Sequence, residues 1–223
     1  VAQGFADYRL DNVANAMYSF VWDEYCDWYL EIAKVQIATG DAAQQRAARR
    51  TLIRVLETVL RLLHPLTPFI TAELWERVAP VAQRKVAGDD NGIVNAPYPV
   101  AQPERIDANA DAWVAQLKAV VGACRNLRSE MALSPAERVP LLVHGEATFI
   151  DAAAPLLKAL AKLSDLRRFD DEAAFGVATQ AAPVAVQGDA RLALEVQIVI
   201  AVEHARLAKE IARLQAEVVK AQA

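Results

Sequence analysis

Two rows of basic side chains are the groups in this sequence whose type and spacing suit a recognisable chemistry. Lys118, Arg125 and Arg128 are separated by seven and three residues, so at about 100° per helical residue they fall within roughly 80° of one another. Guanidinium forks on a rigid helix suit phosphates and base edges, because they donate bidentately and stack on bases. The same ridge also reads as an ordinary solvated face. Nearer the C-terminus Arg206, Arg213 and Lys220 repeat every seven residues, with Glu203, Glu210 and Glu217 beside them. The acidic row is common coiled-coil edge chemistry, whereas the basic row could follow a phosphate backbone. A third group, Asp23, Glu24, Asp27 and Glu31, crowds carboxylates onto one stretch. General acid–base work is the sharp reading of that crowding, and a solvated acidic face the plain one.

Other chemistries find no support. His64, His144 and His204 fall in different elements with no partner at metal-ligand spacing, so they read as satisfied or exposed histidines and no metal site is expected. There is no glycine-rich phosphate loop and no nucleophile-elbow serine or cysteine. Cys26 and Cys124 sit far apart in helical stretches and read as small packing groups, with reduced thiols. No catalytic residue is assigned, and by itself the chain does not look like an enzyme.

Charge narrows the partner. The 223 residues carry 24 Lys plus Arg against 28 Asp plus Glu, a formal net charge of −4, and the isoelectric point is near 5.5. A general nucleic-acid binder would be basic overall, so only a local basic patch could serve RNA. The 54% hydrophobic content is ample for a core. No apolar run approaches the roughly 18–20 residues needed to span a bilayer, and no secretory signal opens the chain, so a cytoplasmic location is expected. The first residue is Val1, which suggests a piece of something longer.

The elements that must position these groups follow from periodicity. Met17, Phe20, Trp28, Ile32 and Val35 recur at helical steps and predict one long helix from about Ala6 to Ala38. Thr39, Gly40 and Asp41 supply a stop through a left-handed glycine and a new cap. A second helix is expected from Ala42 to Leu63, apolar almost all round in its later half and broken at His64-Pro65. Thr67 reads as the N-cap of a short third helix with Pro68 at its first position. Residues 80–107 hold too many breakers for more than a surface crossover. Asp107 caps a fourth helix whose buried stripe is Val114, Leu117, Val121, Cys124, Leu127 and Met131. Beyond Pro135 the period changes. Val139, Leu141 and Val143 alternate as in a strand, a helix is expected from Phe149 to Leu163, and 175–180, 183–187 and 191–199 are strand candidates around a Gly188-Asp189 turn. From about Val202 the seam Leu207, Ile211, Leu214 and Val218 restores a coiled-coil period. The fold class is therefore mainly α (α+β). A helical bundle over 1–136 is followed by a small α/β domain over 137–200 and a C-terminal coiled-coil helix over 201–223.

Several runs now converge on one family. YCDWYLE at Tyr25 to Glu31, LHPLTPFI at Leu63 to Ile70 followed by ELW, RNLRSEM at Arg125 to Met131 and RLAKEIARLQAEV at Arg206 to Val218 together resemble the C-terminal region of bacterial valyl-tRNA synthetases. The LHPLTPFI type of segment is shared among the related class I synthetases for valine, isoleucine and leucine, and the coiled-coil tail points to valine. The resemblance covers nearly the whole chain. It implies a helical anticodon-binding domain, a connecting α/β domain and the first helix of an arm that contacts the outer corner of tRNA(Val). The family's two ATP-site signatures are not in the sequence, so ATP and magnesium are expected to serve the catalytic and editing domains of a parent chain, and no cofactor is expected here.

Carried onto this sequence, the resemblance implies that Arg125 and Arg128, with Lys118, face the anticodon stem and loop. Asn15, Ser19 and Trp22, on the face opposite the Val13–Trp28 stripe, are further candidates. Arg206, Lys209, Arg213 and Lys220 are candidates for the tRNA elbow. Trp28, Leu63, Pro65, Pro68, Phe69 and Trp75 are expected to be core and helix-junction residues. The arm's seam, lacking its partner helix, is expected to self-associate or pack back on the α/β unit. The competing reading is a helical protein–protein interaction module with an exposed seam and no RNA role.

Overall fold

The computed structural model describes residues 1–84, 92–180, 182–196, 211 and 213–215. Its contacts divide the chain into two units, Val1–Leu117 with Ala153–Leu160 and Lys118–Ala152 with Ala161–Ala223. The fold is mainly helical with one small mixed sheet.

The expected single first helix is broken once and widened once. Helix α1 (Ala2–Ala6) stops where Tyr8 takes φ 55° and the Arg9 amide donates back to the Gly4 carbonyl at 2.8 Å. Gly4 has to be bare there, since a Cβ would stand 2.6 Å from the Val13 side chain, which is fully buried. Helix α2 (Leu10–Ser19) then passes into a π-helical stretch, Phe20–Leu30, before α3 (Glu31–Thr39). A π-turn advances by a smaller angle per residue than an α-turn, so the predicted apolar stripe drifts off one face. Val13, Met17 and Ile32 are buried, yet Phe20 is exposed. The Tyr25 hydroxyl donates to the Leu52 carbonyl at 3.0 Å and pins the widened stretch to the helix that follows α3.

Helix α4 runs over Ala42–Leu63, the span its sequence predicts. Asp41 accepts from the Ala43 and Gln44 amides at 2.8 Å while the Gln44 side chain accepts from the Asp41 amide, a reciprocal cap that satisfies three backbone donors. Gly40 is extended, with φ −75°, not left-handed as expected. It is small for a different reason, because a Cβ would lie 2.5 Å from the Gln36 carbonyl oxygen.

The later half of α4 was expected to be apolar, but it buries a carboxylate. Glu57 is fully buried and accepts two bonds from Arg61 at 2.8 and 3.1 Å and one from Arg84 at 3.0 Å. Arg61 also donates to the Pro97 carbonyl at 2.7 Å, so one ion cluster ties the crossover segment to α4.

Helix α5 (Pro68–Val81) is 14 residues long, with Pro80 in its last turn. Thr67 precedes it but its hydroxyl donates back to the Leu63 carbonyl and caps nothing in α5. Leu60, Trp75, Ala79 and Ile93 form the core between α4, α5 and the crossover. Phe69 corrects the reading that made it a core residue: it is 90% exposed, and Pro65 and Pro68 are exposed as well. Helix α6 (Ala108–Glu130) begins at Asp107, whose carboxylate accepts from the Asn109 and Ala110 amides as predicted.

The sheet has the order β2-β1-β4-β3. Strand β1 (Val139–His144) is central and lies parallel to β2 (Leu163–Phe169), which follows helix α7 (Ala147–Leu160); β4 (Ala190–Leu194) is antiparallel to both β1 and β3 (Val184–Gln187). Leu141 pairs with Leu194 and Val143 with Leu192, all four buried. Strand β2 occupies residues for which the sequence had suggested no strand. The strand expected at 175–180 is instead helix α8 (Glu172–Ala178), started by Asp171, whose carboxylate accepts from the Ala174 amide. Its Phe175 packs with Leu142 and Ala193 on one face of the sheet.

Candidate nucleic-acid interface

The exposed side of α2 and the start of the π-helical stretch carry the predicted Asn15, Ser19 and Trp22. Val13 and Met17 point inward at a four-residue step. The complementary positions Asn15, Tyr18, Ser19 and Trp22 are therefore displayed outward, and all four are exposed. Tyr18 and Trp22 stack on each other with ring planes 6° apart and centroids at 6.2 Å, yet remain 66% and 56% exposed. Two large flat rings held parallel in water are an unusual way to spend apolar surface, and they offer a ready platform for a further aromatic plane such as a nucleobase. The Asn15 amide and the Ser19 hydroxyl beside them make no side-chain hydrogen bond among the described residues and can donate or accept at a base edge. Tyr18 was missed by sequence reasoning, although its spacing of three from Asn15 and four from Trp22 was the available signal.

The predicted ridge on α6 does not survive intact. Arg125 is exposed and Lys118 half-buried. Arg128 is only 8% exposed. Its guanidinium donates to the Ser134 carbonyl at 2.9 Å and the Glu137 carbonyl at 2.7 Å, with the Lys162 carbonyl at 3.5 Å. It thus fastens the turn after α6 to the approach to β1, and the reading that put it on an exposed ridge is corrected. The reason is tertiary: the chain reverses after Glu130, with Ala132 at φ 53°, and brings those carbonyls back over the last turn of α6. Arg128 also opposes, through its charge, the burial that pushes the Cys124 thiol up to about 12.

At the C-terminus Arg213 lies in a described helical stretch and is exposed, as are Ile211 and Leu214 of the seam. For those two residues, packing back on the α/β unit is not observed. Arg206, Lys209 and Lys220, with Leu207 and Val218, lie outside the described residues.

The remaining candidates resolve as structural. The Thr71 hydroxyl donates to the Thr67 carbonyl at 2.7 Å, so the His64 Nδ1 proton is the donor in its 2.7 Å bond to Thr71. His144 Nδ1 donates to the Phe169 carbonyl at 2.9 Å. Asp23, Glu24 and Asp27 are exposed, and Glu31 pairs with Lys34 at 2.6 Å. Among the described residues no three His, Cys, Asp or Glu side chains converge as a metal site, and no helix is long and apolar enough to cross a membrane.

Comparison with known sequences places the chain in a family. The family described as the anticodon-binding domain of tRNA ligase matches residues 1–143, and the chain belongs to that family. Over its full length it is similar to valine--tRNA ligases. It is 55% identical to that of Dechloromonas aromatica (strain RCB) over 222 residues, which is 100% of this chain and 23% of the relative. Identity to the Laribacter hongkongensis (strain HLHK9) protein is 47% over 220 residues, 99% of this chain and 22% of the relative. The protein of Neisseria meningitidis serogroup B (strain ATCC BAA-335 / MC58) is 47% identical over 215 residues, 96% of this chain and 22% of it. The chain spans less than a quarter of the length of these curated relatives.

Proposed function

We propose that this chain is the tRNA-binding part of a cytoplasmic valine–tRNA ligase. In this reading it holds the anticodon stem-loop and the outer corner of tRNA(Val) while the catalytic part of the parent protein attaches valine with ATP and magnesium. The observation that carries the reading is the exposed parallel stack of Tyr18 and Trp22, flanked by Asn15 and Ser19, in a member of the anticodon-binding family. Tyr18 and Trp22 stack on a loop base, Asn15 and Ser19 meet its edge, and Arg125 and Lys118 contact stem or loop phosphates. Arg206, Lys209, Arg213 and Lys220 run along the elbow backbone. The organisation is a bundle over 1–136, a connector over 137–200 and an arm helix over 201–223. Phe69, Ile70 and Leu74, exposed along α5, are covered by the catalytic and editing parts of the parent.

Base–aromatic stacking contributes about 1–3 kcal/mol per base. Trp22→Ala and Tyr18→Ala are therefore expected to weaken binding of a valine-tRNA anticodon stem-loop by about 5- to 150-fold each, with an unchanged circular dichroism spectrum. Affinities equal to that of the unsubstituted chain would overturn the assignment of this face. The exposed Ile211 and Leu214 support self-association through the arm, which Leu214→Asp abolishes in sedimentation across a concentration range; a dimer unaffected by that substitution would refute it.

A further inference from the structure

The first half of α4 carries charge in a pattern that nothing above uses. Arg46, Arg49, Arg50 and Arg54 lie on this helix, and between Asp41 and Glu57 the sequence holds no acidic residue. Arg46, Arg50 and Arg54 repeat every four residues, so they stand on one face about 6 Å apart along the axis. Like charges at that spacing destabilise a helix, and a face meant only for water relieves this by interleaving glutamates. Here none is interleaved, in a chain whose net charge is −4.

The surroundings give this face a shape. A groove of about 460 Å³ is lined by Arg49, Arg50, Arg54 and Gln83 together with the apolar Ile53, Val81 and Ala82, and a second of about 370 Å³ by Arg50, Thr51, Arg54 and Arg105. Arg50 and Arg54 form the wall the two grooves share. Arg105, from the short turn Pro103–Arg105, completes the lining of the second. All five arginines are exposed. Arg49 reaches Gln45 at 3.4 Å and Arg54 lies 3.5 Å from Glu57, whereas Arg46, Arg50 and Arg105 have no ion pair among the described residues. Glu57 pairs with Arg54 at the end of the row, but it is buried and already bonded to Arg61 and Arg84, so it neutralises neither Arg46 nor Arg50.

We infer that this paired groove is a second RNA-contacting surface, one that takes the sugar–phosphate backbone of a nucleic-acid strand with Arg50 and Arg105, brought to one groove from two elements, as its phosphate contacts. Charge complementarity selects the occupant: guanidinium groups spaced along one line, with a polar Thr51 and Gln83 beside them, match a run of phosphates and read no base. Arginine in every basic position, with no lysine, suits the bidentate fork to phosphate oxygens. The inference rests on the proposed tRNA-binding role and adds to it a site made of different residues from the aromatic face of α2.

Counter-ion release supplies the test. Each phosphate contact contributes about 0.7–0.9 to the log–log slope of affinity against salt. Binding of fluorescent tRNA(Val) is measured between about 50 and 200 mM salt for the unsubstituted chain, for Arg50→Gln with Arg105→Gln, and for Arg50→Lys with Arg105→Lys. The glutamine pair is expected to shrink the slope by about 1.4–1.8 and to weaken binding at low salt. The lysine pair, which keeps the charge, is expected to retain the slope. An unchanged slope in the glutamine pair overturns the groove and leaves the tRNA-binding role standing. An equal loss in the lysine pair also overturns it, since the effect would then not be counter-ion release. Absence of tRNA binding by the unsubstituted chain overturns both readings. Displacement of tRNA from the groove by polyglutamate at equal charge assigns the surface to an acidic protein partner and overturns the RNA assignment.

Discussion

Replacing Arg128 by alanine separates the buried brace seen in the structure from the surface contact its helical position suggests. The guanidinium makes two bonds of good length, to the Ser134 and Glu137 carbonyls at 2.9 and 2.7 Å. The third contact, at 3.5 Å, is too long to count. A hydrogen bond from a charged donor contributes about 1.5–3 kcal/mol. Ser134 and Glu137 are exposed residues, so water replaces the lost donor and the low end of that range applies. The expected loss is about 3 kcal/mol, which in a protein of this size lowers Tm by about 6–12 °C. Arg128→Lys should recover about half, since one ammonium cannot reproduce the planar fork that reaches two carbonyls. Calorimetry gives the Tm, and tRNA titrations at several salt concentrations show whether a phosphate contact has also gone. A Tm within 1–2 °C of the parent, together with a salt slope reduced by about 0.7–0.9, would refute this account and return Arg128 to the RNA.

Glu57→Ala removes the shared acceptor of Arg61 and Arg84 from a fully buried site; it is expected to cost about 3–5 kcal/mol, visible in urea unfolding, while Glu73→Ala on the exposed surface pair with Arg77 should change stability by less than about 1 kcal/mol. Phe69→Ser alters a side chain that is 90% exposed and should shift the unfolding midpoint by no more than about 0.5 kcal/mol, an outcome at odds with a core role. Burial pushes the Cys124 thiol up to about 12, above its unfolded value of about 8.5. The stability this represents is fully present below about pH 8.5 and is lost as the pH rises toward 12, so Cys124→Ala should flatten the fall in Tm between about pH 8.5 and 10 while lowering the plateau below it.

The parts of the fold that were legible are those governed by neighbours in sequence. Asp41 with Gln44, and Asp107 with the following two amides, are caps that need only three or four residues, and both helices begin where those residues place them. The π-helical stretch was not legible, because the composition of FVWDEYCDWYL does not distinguish an i→i+5 ladder from i→i+4. Strand β2 was hidden by its own spacing: Leu163, Leu166 and Phe169 recur at threes, as in a helix, and the segment becomes a strand through its ladder with β1. Within the site, the outward positions of Asn15, Ser19 and Trp22 followed from the burial of Val13 and Met17. Arg128 did not, because residues 134 and 137 decide its environment and helical angle says nothing of them. The arginine row of α4 was passed over in the sequence, where its four-residue spacing was the available signal, and the grooves beside it require Arg105 from a turn about fifty residues away.

The most direct measurement of the central claim is the affinity of this chain for two RNA stem-loops of equal length and charge, one with the anticodon loop of a valine tRNA and one with its loop sequence replaced, titrated at several salt concentrations. The account predicts that both bind with affinity falling linearly in log salt, and that the valine loop binds at least about 5-fold tighter through one stacked base, an advantage lost in Trp22→Ala. Equal affinity for the two loops, or no binding of either, would contradict it.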